Sequence, residues 1–164
     1  MLGKIYLDPA SDSKHQQRIQ ALKYFNKEDD GISKEWNAKT VFLNPPYSAS
    51  TKWIAKAIEE FEAGRAKELI ILIHADTKTK WWHSAFSKCS AVCFTQGVIK
   101  FHHPAQNTTN SAPMGSHIFY FGPNAEKFAE VFKQLGTAIR NTWSQGANHH
   151  DNAIIIKGAK CVQF

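Results

Sequence analysis

The segment VFLNPPY, residues 41–47, is an apolar run that passes directly into a polar and aromatic loop. Pro45 and Pro46 exclude a helix interior or a central strand at this point, because each lacks an amide donor and has a fixed φ angle. The segment therefore predicts a strand over residues 40–43 that ends in a rigid loop. In an open α/β sheet, ligands bind outside the carboxyl ends of the strands. We expect a ligand site at residues 44–47.

The sequence after this loop predicts a helix and a second strand. Apolar residues recur at helical spacing over residues 51–61, and Gly64 is placed to end the helix in a left-handed conformation. Residues 69–73, LIILI, form the most hydrophobic strand pattern in the chain. A strand, a helix and a strand at this spacing predict a right-handed crossover within a parallel sheet.

The amino-terminal sequence predicts a further strand and helix. Residues 4–8, KIYLD, form a short strand pattern that ends at Asp8, and Ser13 with Gln16 matches a capping box. The apolar residues expected on the inner face of this helix are Ile19, Leu22 and Phe25. Together these segments predict an α/β protein with a mainly parallel sheet.

The carboxyl-terminal half is predicted to contain a helix over 81–88, strands over 91–95, 98–102 and 117–121, and a helix from Asn124 to Gly136. The expected inward residues of the last helix are Phe128, Val131, Phe132 and Leu135. Residues 103–116 form a long polar connection, which is either a binding loop or disordered. The apolar run 154–156 fits an added edge strand.

The length and composition indicate one domain, residues 1–164, since 43% of its residues are hydrophobic. The chain has no apolar run of about 18 residues and no signal-peptide pattern, so we expect a soluble, cytoplasmic protein without membrane contact. Cys89, Cys93 and Cys161 are an odd number of cysteines and are expected to be reduced. Cys89 and Cys93 lack a second ligand pair at zinc spacing, so no metal site is predicted. The oligomeric state stays open.

The charge balance favours a polyanionic partner. Twenty Lys and Arg residues against fourteen Asp and Glu residues give a net charge of +6. Such an excess favours nucleic acid, because neutralised phosphates release counterions, although charge alone does not identify a partner. Lys52 follows a predicted strand end and fits either a phosphate contact or a solvated basic face.

The residue types in the loop suit a planar group that carries an amine. Asn44 offers a side-chain oxygen, Pro45 a carbonyl and Tyr47 a flat aromatic face. Two acceptors that hold the hydrogens of an exocyclic amine would direct its lone pair at an electrophile. A base within a duplex would have to be flipped out to reach the loop. A protein glutamine or an RNA base offers a similar group and stays an alternative acceptor.

The ordered set of motifs along the chain resembles a known family. The motifs are LDPASD at 7–12, DDGI at 29–32 with Trp36, VFLNPPYS at 41–48, Trp53, Thr77 with Trp81 and Trp82, residues 97–101, and FYFG at 119–122. Their order and spacing over about residues 4–136 are similar to the phage DNA N-6-adenine-methyltransferase (Dam) family. Residues 137–164 are then a carboxyl-terminal extension.

This resemblance implies a Rossmann-like fold that transfers a methyl group from S-adenosylmethionine to N6 of adenine in double-stranded DNA. The implied catalytic loop comprises Asn44, Pro45, Pro46 and Tyr47. The donor would lie at Asp8, Pro9 and Ala10, with Asp30 as a second contact, because a carboxylate can pair with the cationic end of the donor. The predicted substrate contacts are Tyr47, Ser48, Lys52 and Trp81. Trp81 is placed after the strand 69–73 and is alternatively a core ring.

The sequence departs from the family pattern in two places. Members usually begin with a Trp-x-Thr-Pro segment that supports the donor, whereas this chain starts at the next element, so we expect an N-terminally shortened fold. Gly97-Val98-Ile99 stands where the family has Gly-Arg-Ile, which removes a basic residue. An inactive remnant that binds DNA or a partner protein is the alternative function. A cap or turn carboxylate is the alternative role for Asp8 and Asp30.

Overall fold

The computed structural model describes residues 1–103, 108–111 and 114–142. The strands are β1 (Leu7–Asp8), β2 (Lys23–Tyr24), β3 (Ala38–Leu43), β4 (Ala66–His74), β5 (Ala91–Thr95), β6 (Lys100–His103), β7 (Thr108–Ser111), β8 (Ser116–Phe121) and β9 (Gly136–Arg140). The helices are α1 (Ser13–Ile19), α2 (Ser50–Glu62), α3 (Lys80–Lys88) and α4 (Ala125–Phe132), with a short 3-10 helix at Tyr47–Ala49. The two predicted strands next to the loop and the helix between them are therefore confirmed.

A seven-stranded sheet in the order β2-β1-β3-β4-β8-β5-β9 forms the centre of the fold. β1 pairs in parallel with β2 and β3, and β3 pairs in parallel with β4. β8 is antiparallel to both β4 and β5, and β9 is antiparallel to β5. Five of the seven strands, β1 to β5, consequently run in one direction. The predicted α/β fold with a mainly parallel sheet is confirmed.

The two strands that follow β1 in the sequence, β2 and β3, lie on opposite sides of it in the sheet. The chain passes through α1 to β2 on one side of β1, and then returns to β3 on the other side. The carboxyl ends of β1 and β3 therefore flank a topological switch point, where open α/β sheets form their ligand crevice. The antiparallel β8 begins at this same edge of the sheet, next to the end of β4. Residues from four strands can thus meet there.

Helices cover both faces of the sheet. On one face, Leu43, Ile71 and Phe119 pack in a cluster with Ile54 and Ala57 of α2 and with residues of α3. On the other face, Ile70, Cys93 and Tyr120 pack with Phe128 of α4. Every residue of β8 and most residues of β4 are buried, as is expected for strands that are covered on both faces. Packing on both faces therefore holds the central strands in place, together with the carboxyl ends that border the crevice.

The first helix differs from the prediction in its start and its end. Asp12, not Ser13, is the N-cap, and its Oδ1 accepts hydrogen bonds from the amides of Lys14 and His15, both at 2.9 Å. The helix ends at Ile19, and Gln20 is left-handed with φ of 53°. Leu22 and Phe25 therefore lie outside the helix, and Leu22 is 54% exposed. The short strand β2 takes the place of the predicted last helical turns.

The carboxyl-terminal part also differs. Leu135 is exposed rather than inward, and Gly136 begins β9 instead of closing α4. The strand predicted over 98–102 begins at Lys100, and it pairs with β7 inside the predicted 103–116 connection. That connection is therefore neither wholly a loop nor wholly disordered. The predicted strand at 154–156 and Cys161 lie outside the described residues.

The two described cysteines are free thiols, as the sequence predicts. Cys89 and Cys93 are free and fully buried. Burial raises the pKa of the Cys89 thiol to about 11. Among the described residues, no group of three or more His, Cys, Asp or Glu side chains is placed to hold a metal ion. Within the same part of the chain, no helix has the length and apolar character needed to cross a bilayer.

Candidate active site

The Asn44–Tyr47 loop follows β3 at the switch point and turns at once into the 3-10 helix. Pro46 is extended with φ of −61° and ψ of 131°, as expected for a proline before a helix start. The Ser50 hydroxyl donates to the Tyr47 carbonyl at 2.8 Å, and the Ala49 amide donates to the Pro46 carbonyl at 3.0 Å. These bonds anchor the carboxyl-terminal side of the loop to the start of α2.

Two oxygen acceptors of this loop are unused within the described part of the chain. The Asn44 side chain is half-buried and forms no hydrogen bond there. The Pro45 carbonyl accepts no hydrogen bond from the same residues, although Pro45 itself is buried. Because buried or half-buried acceptors are normally satisfied, this pair is available to a ligand with two hydrogens to donate.

Tyr47 belongs to a row of three aromatic rings. Its ring centroid lies 4.5 Å from that of His74, at an interplanar angle of 52°. The His74 ring in turn meets Trp81 edge-on at 5.1 Å. Burial raises the pKa of the Tyr47 hydroxyl, so this ring is neutral near pH 7. The row extends from the loop after β3, across the end of β4, to the first turn of α3.

His74 is the last residue of β4 and is only 7% exposed. Its Nδ1 has no hydrogen-bond partner among the described residues, and neither does the hydroxyl of Ser116, its register neighbour on β8. Burial lowers the pKa of His74, and the nearby Asp76 carboxylate opposes this only in part. The imidazole is therefore uncharged near pH 7.

Asp8 lies at the end of β1 on the other side of the loop, and it is only 3% exposed. Its Oδ2 accepts from the Gln16 side chain at 2.9 Å, and its Oδ1 accepts from the Ala10 amide at 3.3 Å. Burial raises the pKa of this carboxyl despite the hydrogen bonds to Ser11, Ala10 and Gln16. Within the described residues, its hydrogen-bond donors are all uncharged, so a cationic ligand would stabilise the carboxylate.

The turn that contains Asp30 packs against the loop after Asp8. Asp30 is exposed and left-handed, with φ of 51°, and its carbonyl accepts from the Ser33 amide at 3.0 Å. The next residue, Gly31, approaches the Pro9 carbonyl so closely that a Cβ would lie 2.1 Å from its oxygen. The structure thus brings the turn that contains Asp30 and Gly31 against Pro9, although the two segments are far apart in sequence.

A buried ion cluster holds this turn against the body of the protein. The Trp36 indole donates to the Gly31 carbonyl at 2.8 Å, and the Trp36 amide donates to Glu60 Oε2 at 2.9 Å. Glu60 on α2 is also paired with Lys56 at 2.7 Å and Arg65 at 2.8 Å. Burial acts to raise the pKa of Glu60, but the hydrogen bonds from these partners outweigh it and lower the pKa to about 2.

The predicted substrate contacts lie at different depths. Ser48 and Lys52 are exposed, at the 3-10 helix and in the first turn of α2. Trp81 is buried and lies behind His74 in the ring row. Direct contact between Trp81 and a substrate stays a prediction.

The sequence did not predict a role at this site for four residues: Gln16, Gly31, His74 and Ser116. His74 carries a usable signal, because it directly follows the apolar strand 69–73 and so lies at a carboxyl end. Gly31 acts through a contact with a distant loop, and Ser116 enters from an antiparallel strand. Neither relationship is visible in local sequence.

A separate cavity of about 420 Å³ lies at the opposite edge of the sheet. It is lined by residues that include Ser90, Asn124, Glu126 and Arg140, at the start of β5 and the ends of β8 and β9. Arg140 is paired there with Glu126 at 2.7 Å. This cavity shares no residue with the Asn44–Tyr47 loop.

The mostly parallel sheet, with polar groups gathered at its switch point, defines a Rossmann-like α/β fold. The profile of the DNA N-6-adenine-methyltransferase (Dam) family matches residues 1–145, and the chain belongs to that family. A DNA N-6-adenine-methyltransferase of Escherichia phage T1 is 28% identical over 95 residues, which cover 57% of this chain and 38% of that protein. The chain therefore matches well under half of that relative's length.

A solved structure from Pyrococcus horikoshii, whose naming as an RNA methyltransferase is provisional, was also found. It is 16% identical to this chain, with a TM-score of 0.41 over 70% of this chain and 61% of the other. The family resemblance inferred from the ordered motifs is thus confirmed by the profile, which reaches beyond the predicted limits of about residues 4–136.

Proposed function

We propose that the protein transfers a methyl group from S-adenosylmethionine to N6 of an adenine flipped out of double-stranded DNA. One observation carries this proposal: two unused acceptors, on Asn44 and Pro45, stand beside the Tyr47 ring at the switch point. A planar base with an exocyclic amine is the ligand that uses all three groups. Membership of the family supports adenine as that base.

The acceptor side of the site positions and activates the amine. The Asn44 side-chain oxygen and the Pro45 carbonyl each accept one amine hydrogen, which localises the nitrogen lone pair and directs it out of the ring plane. Tyr47 holds the ring by stacking, which contributes about 1–3 kcal/mol per base. As positive charge develops on the nitrogen, the same two oxygens stabilise it, and one amine proton then passes to water.

The donor side of the site fits the cationic end of S-adenosylmethionine. The donor, when bound, supplies an electrophilic methyl group. The Asp8 carboxylate is buried and has only uncharged hydrogen-bond donors among the described residues, so it has room for a charge-assisted bond to an ammonium group. Pro9 and Ala10 follow it in the same loop, and Asp30 precedes Gly31, which contacts Pro9, so Asp30 is the proposed second contact.

Double-stranded DNA is the proposed partner. The net charge of +6 favours a polyanion, and the exposed Lys52 lies close in sequence to the loop, where a phosphate would pass. Ser48 is exposed beside Tyr47 and can donate to the backbone of the flipped nucleotide. Such a substrate would place the activity in the cytoplasm of a bacterial host.

The test is the Asn44→Ala variant assayed with labelled donor and duplex DNA. We expect kcat for N6-methyladenine formation to fall by about 10²–10³-fold, because one transition-state acceptor is lost. Donor affinity, measured by calorimetry, is expected to stay unchanged. Asn37→Ala is the matched control, since Asn37 is an exposed amide whose side chain donates to Glu35, away from the loop. Unchanged methylation by Asn44→Ala would refute the mechanism.

Two other outcomes would replace the proposal. If the wild-type protein gives no heat of binding with S-adenosylmethionine yet still shifts DNA, it is a binding remnant and not an enzyme. If mass spectrometry finds the label on an RNA base or a glutamine side chain but never on DNA, the same loop serves a different acceptor. The assay therefore offers duplex DNA, RNA and total protein in parallel.

A further inference from the structure

His74 contacts the one ring of the loop that is proposed to stack on the base. The Tyr47 ring lies 4.5 Å from the His74 ring, while the Tyr47 hydroxyl forms no hydrogen bond with the described residues. The bonds that involve Tyr47 itself go to its backbone carbonyl. Within the described residues, the contact with His74 is the aromatic contact that the Tyr47 ring makes.

The support under Tyr47 is itself rigid. Six residues of β4 pair with β8 in antiparallel register. His74 is the last of them, and its partner is Ser116. The next amide, of Ala75, donates to the Gly115 carbonyl at 2.8 Å. The imidazole also forms an edge-type contact with the buried Trp81 ring, at a centroid distance of 5.1 Å. A loop residue thus rests on a ring that belongs to the central sheet.

The imidazole nitrogen is not needed for this packing. His74 Nδ1 is buried without a partner among the described residues, an arrangement that costs free energy relative to an apolar ring. The part of His74 that contacts Tyr47 and Trp81 is its flat ring. A phenylalanine ring at this position would supply the same tilted and edge-type ring contacts.

We propose that His74 is a positioning residue, which fixes the plane of the Tyr47 ring so that it stacks on the acceptor base; this rests on the proposed function. His74 does not touch the reacting atoms. It acts through Tyr47, and the flat ring is the group that matters. Residue 74 therefore contributes to base binding and alignment, while the donor side of the site is independent of it.

The test compares His74→Leu with His74→Phe in the full chain. NMR of tyrosine-labelled protein, with the Tyr47 signal assigned by Tyr47→Phe, reports the ring environment without any substrate. We expect His74→Leu to move the Tyr47 signal and to lower kcat/KM for DNA by roughly tenfold, the effect of losing most of one stacking contact. His74→Phe is expected to restore both the signal and kcat/KM to near the wild-type values.

His117→Leu is the matched control. His117 is a similarly buried histidine on β8, and its Nδ1 accepts from the Trp82 indole at 2.8 Å. Its loss is expected to lower the unfolding temperature and to leave the Tyr47 signal in place. Donor affinity is expected to be unchanged in all three variants.

Two results would overturn the inference. An unmoved Tyr47 signal in His74→Leu would show that another group orients the ring. A His74→Phe variant as defective as His74→Leu would show that a nitrogen, and not the flat ring, does the work. Failure of the wild-type protein to methylate DNA would refute the proposed function, but the NMR comparison would still decide whether His74 orients Tyr47.

Discussion

Gly31 and the carbonyl of Pro9 are in direct backbone contact, although 22 positions separate the two residues in the sequence. A Cβ at residue 31 would lie 2.1 Å from the carbonyl oxygen and 3.1 Å from the Trp53 ring. This contact joins the turn that carries Asp30 to the loop that follows Asp8. The two parts of the proposed donor site are therefore packed as one unit.

Gly31→Ala is expected to damage the donor site. The added methyl group has to displace backbone atoms, so we expect a loss of about 1–3 kcal/mol in the free energy of unfolding together with weaker binding of S-adenosylmethionine. Calorimetry and denaturant unfolding measure the two effects. Gly115→Ala is the control, because its Cβ would lie 4.0 Å from that of Ala75, at ordinary contact distance. Normal donor affinity in Gly31→Ala would contradict the prediction.

Donor affinity is expected to fall as the pH is lowered through the pKa of Asp8. Burial raises that pKa, so protonation begins at a higher pH than for an ordinary aspartate, and the protonated acid no longer attracts a cation. Asp8→Asn should weaken donor binding by about 10–100-fold at pH 7 and remove this pH dependence. Titration calorimetry over about four pH units, from roughly pH 4 to pH 8, gives both results.

Asp12→Asn serves as the control for this experiment. Asp12 caps α1 through the Lys14 and His15 amides and is a part-exposed acid in the same loop. Asparagine is also a good N-cap, so both stability and donor affinity are expected to stay close to the wild-type values. If Asp8→Asn bound the donor as tightly as Asp12→Asn does, the Asp8 carboxylate would have no role in binding.

Glu60 is expected to link stability to acid pH. Its pKa in the folded protein is about 2, below the ordinary value of 4.5. The stabilisation is therefore present above pH 4.5 and is lost as the pH falls toward 2. Glu60→Gln should destabilise the protein by about 3 kcal/mol at neutral pH, since Lys56 and Arg65 lose their buried partner. The variant should also show a shallower loss of stability on acidification.

Glu59→Gln is the matched control for Glu60. Glu59 precedes Glu60 on α2 and pairs with the same two cations, but its side chain is 63% exposed. Exposed pairs contribute little, so we expect a change of about 0.5 kcal/mol or less. Equal effects of the two variants in urea unfolding at pH 7 would mean that the buried cluster does not hold the Trp36 segment.

Lys52 is expected to contact a DNA phosphate. Lys52→Ala should weaken binding of all duplexes to a similar degree and reduce the salt dependence of the affinity by about one unit of slope. Lys67→Ala is the control, because Lys67 is exposed near the opposite end of β4. Fluorescence anisotropy at several salt concentrations measures the slope. An unchanged slope in Lys52→Ala would place this residue in a solvated surface and not at the interface.

The sequence predicted the elements that depend on local chemistry. Two consecutive prolines after an apolar run located the loop after β3, and helical spacing located α2 to within a residue at each end. It predicted α1 less well, because the pattern of Ile19, Leu22 and Phe25 fits a helix although the chain turns at Gln20 to form β2. A two-residue strand leaves almost no local signal.

Strand pairing and close contacts were beyond local sequence. The run 117–121 predicted a strand, but nothing in its periodicity says that β8 enters between β4 and β5. The role of His74 depends on a ring that reaches it from another loop. Part of the family pattern also proves to be core, since Phe119, Tyr120 and Phe121 are fully buried in β8. The acceptor loop and Asp8 were predicted because both end strands.

The position of β8 also determines when the protein can complete its sheet during synthesis. Until residues 116–121 leave the ribosome, β4 has no neighbour on one side, and the edge that contains its apolar run 69–73 is unpaired. β5 is made earlier but joins the sheet only through β8. A chain that stops before Ser116 is thus expected to aggregate, and the support beneath Tyr47 is among the last parts of the protein to become rigid.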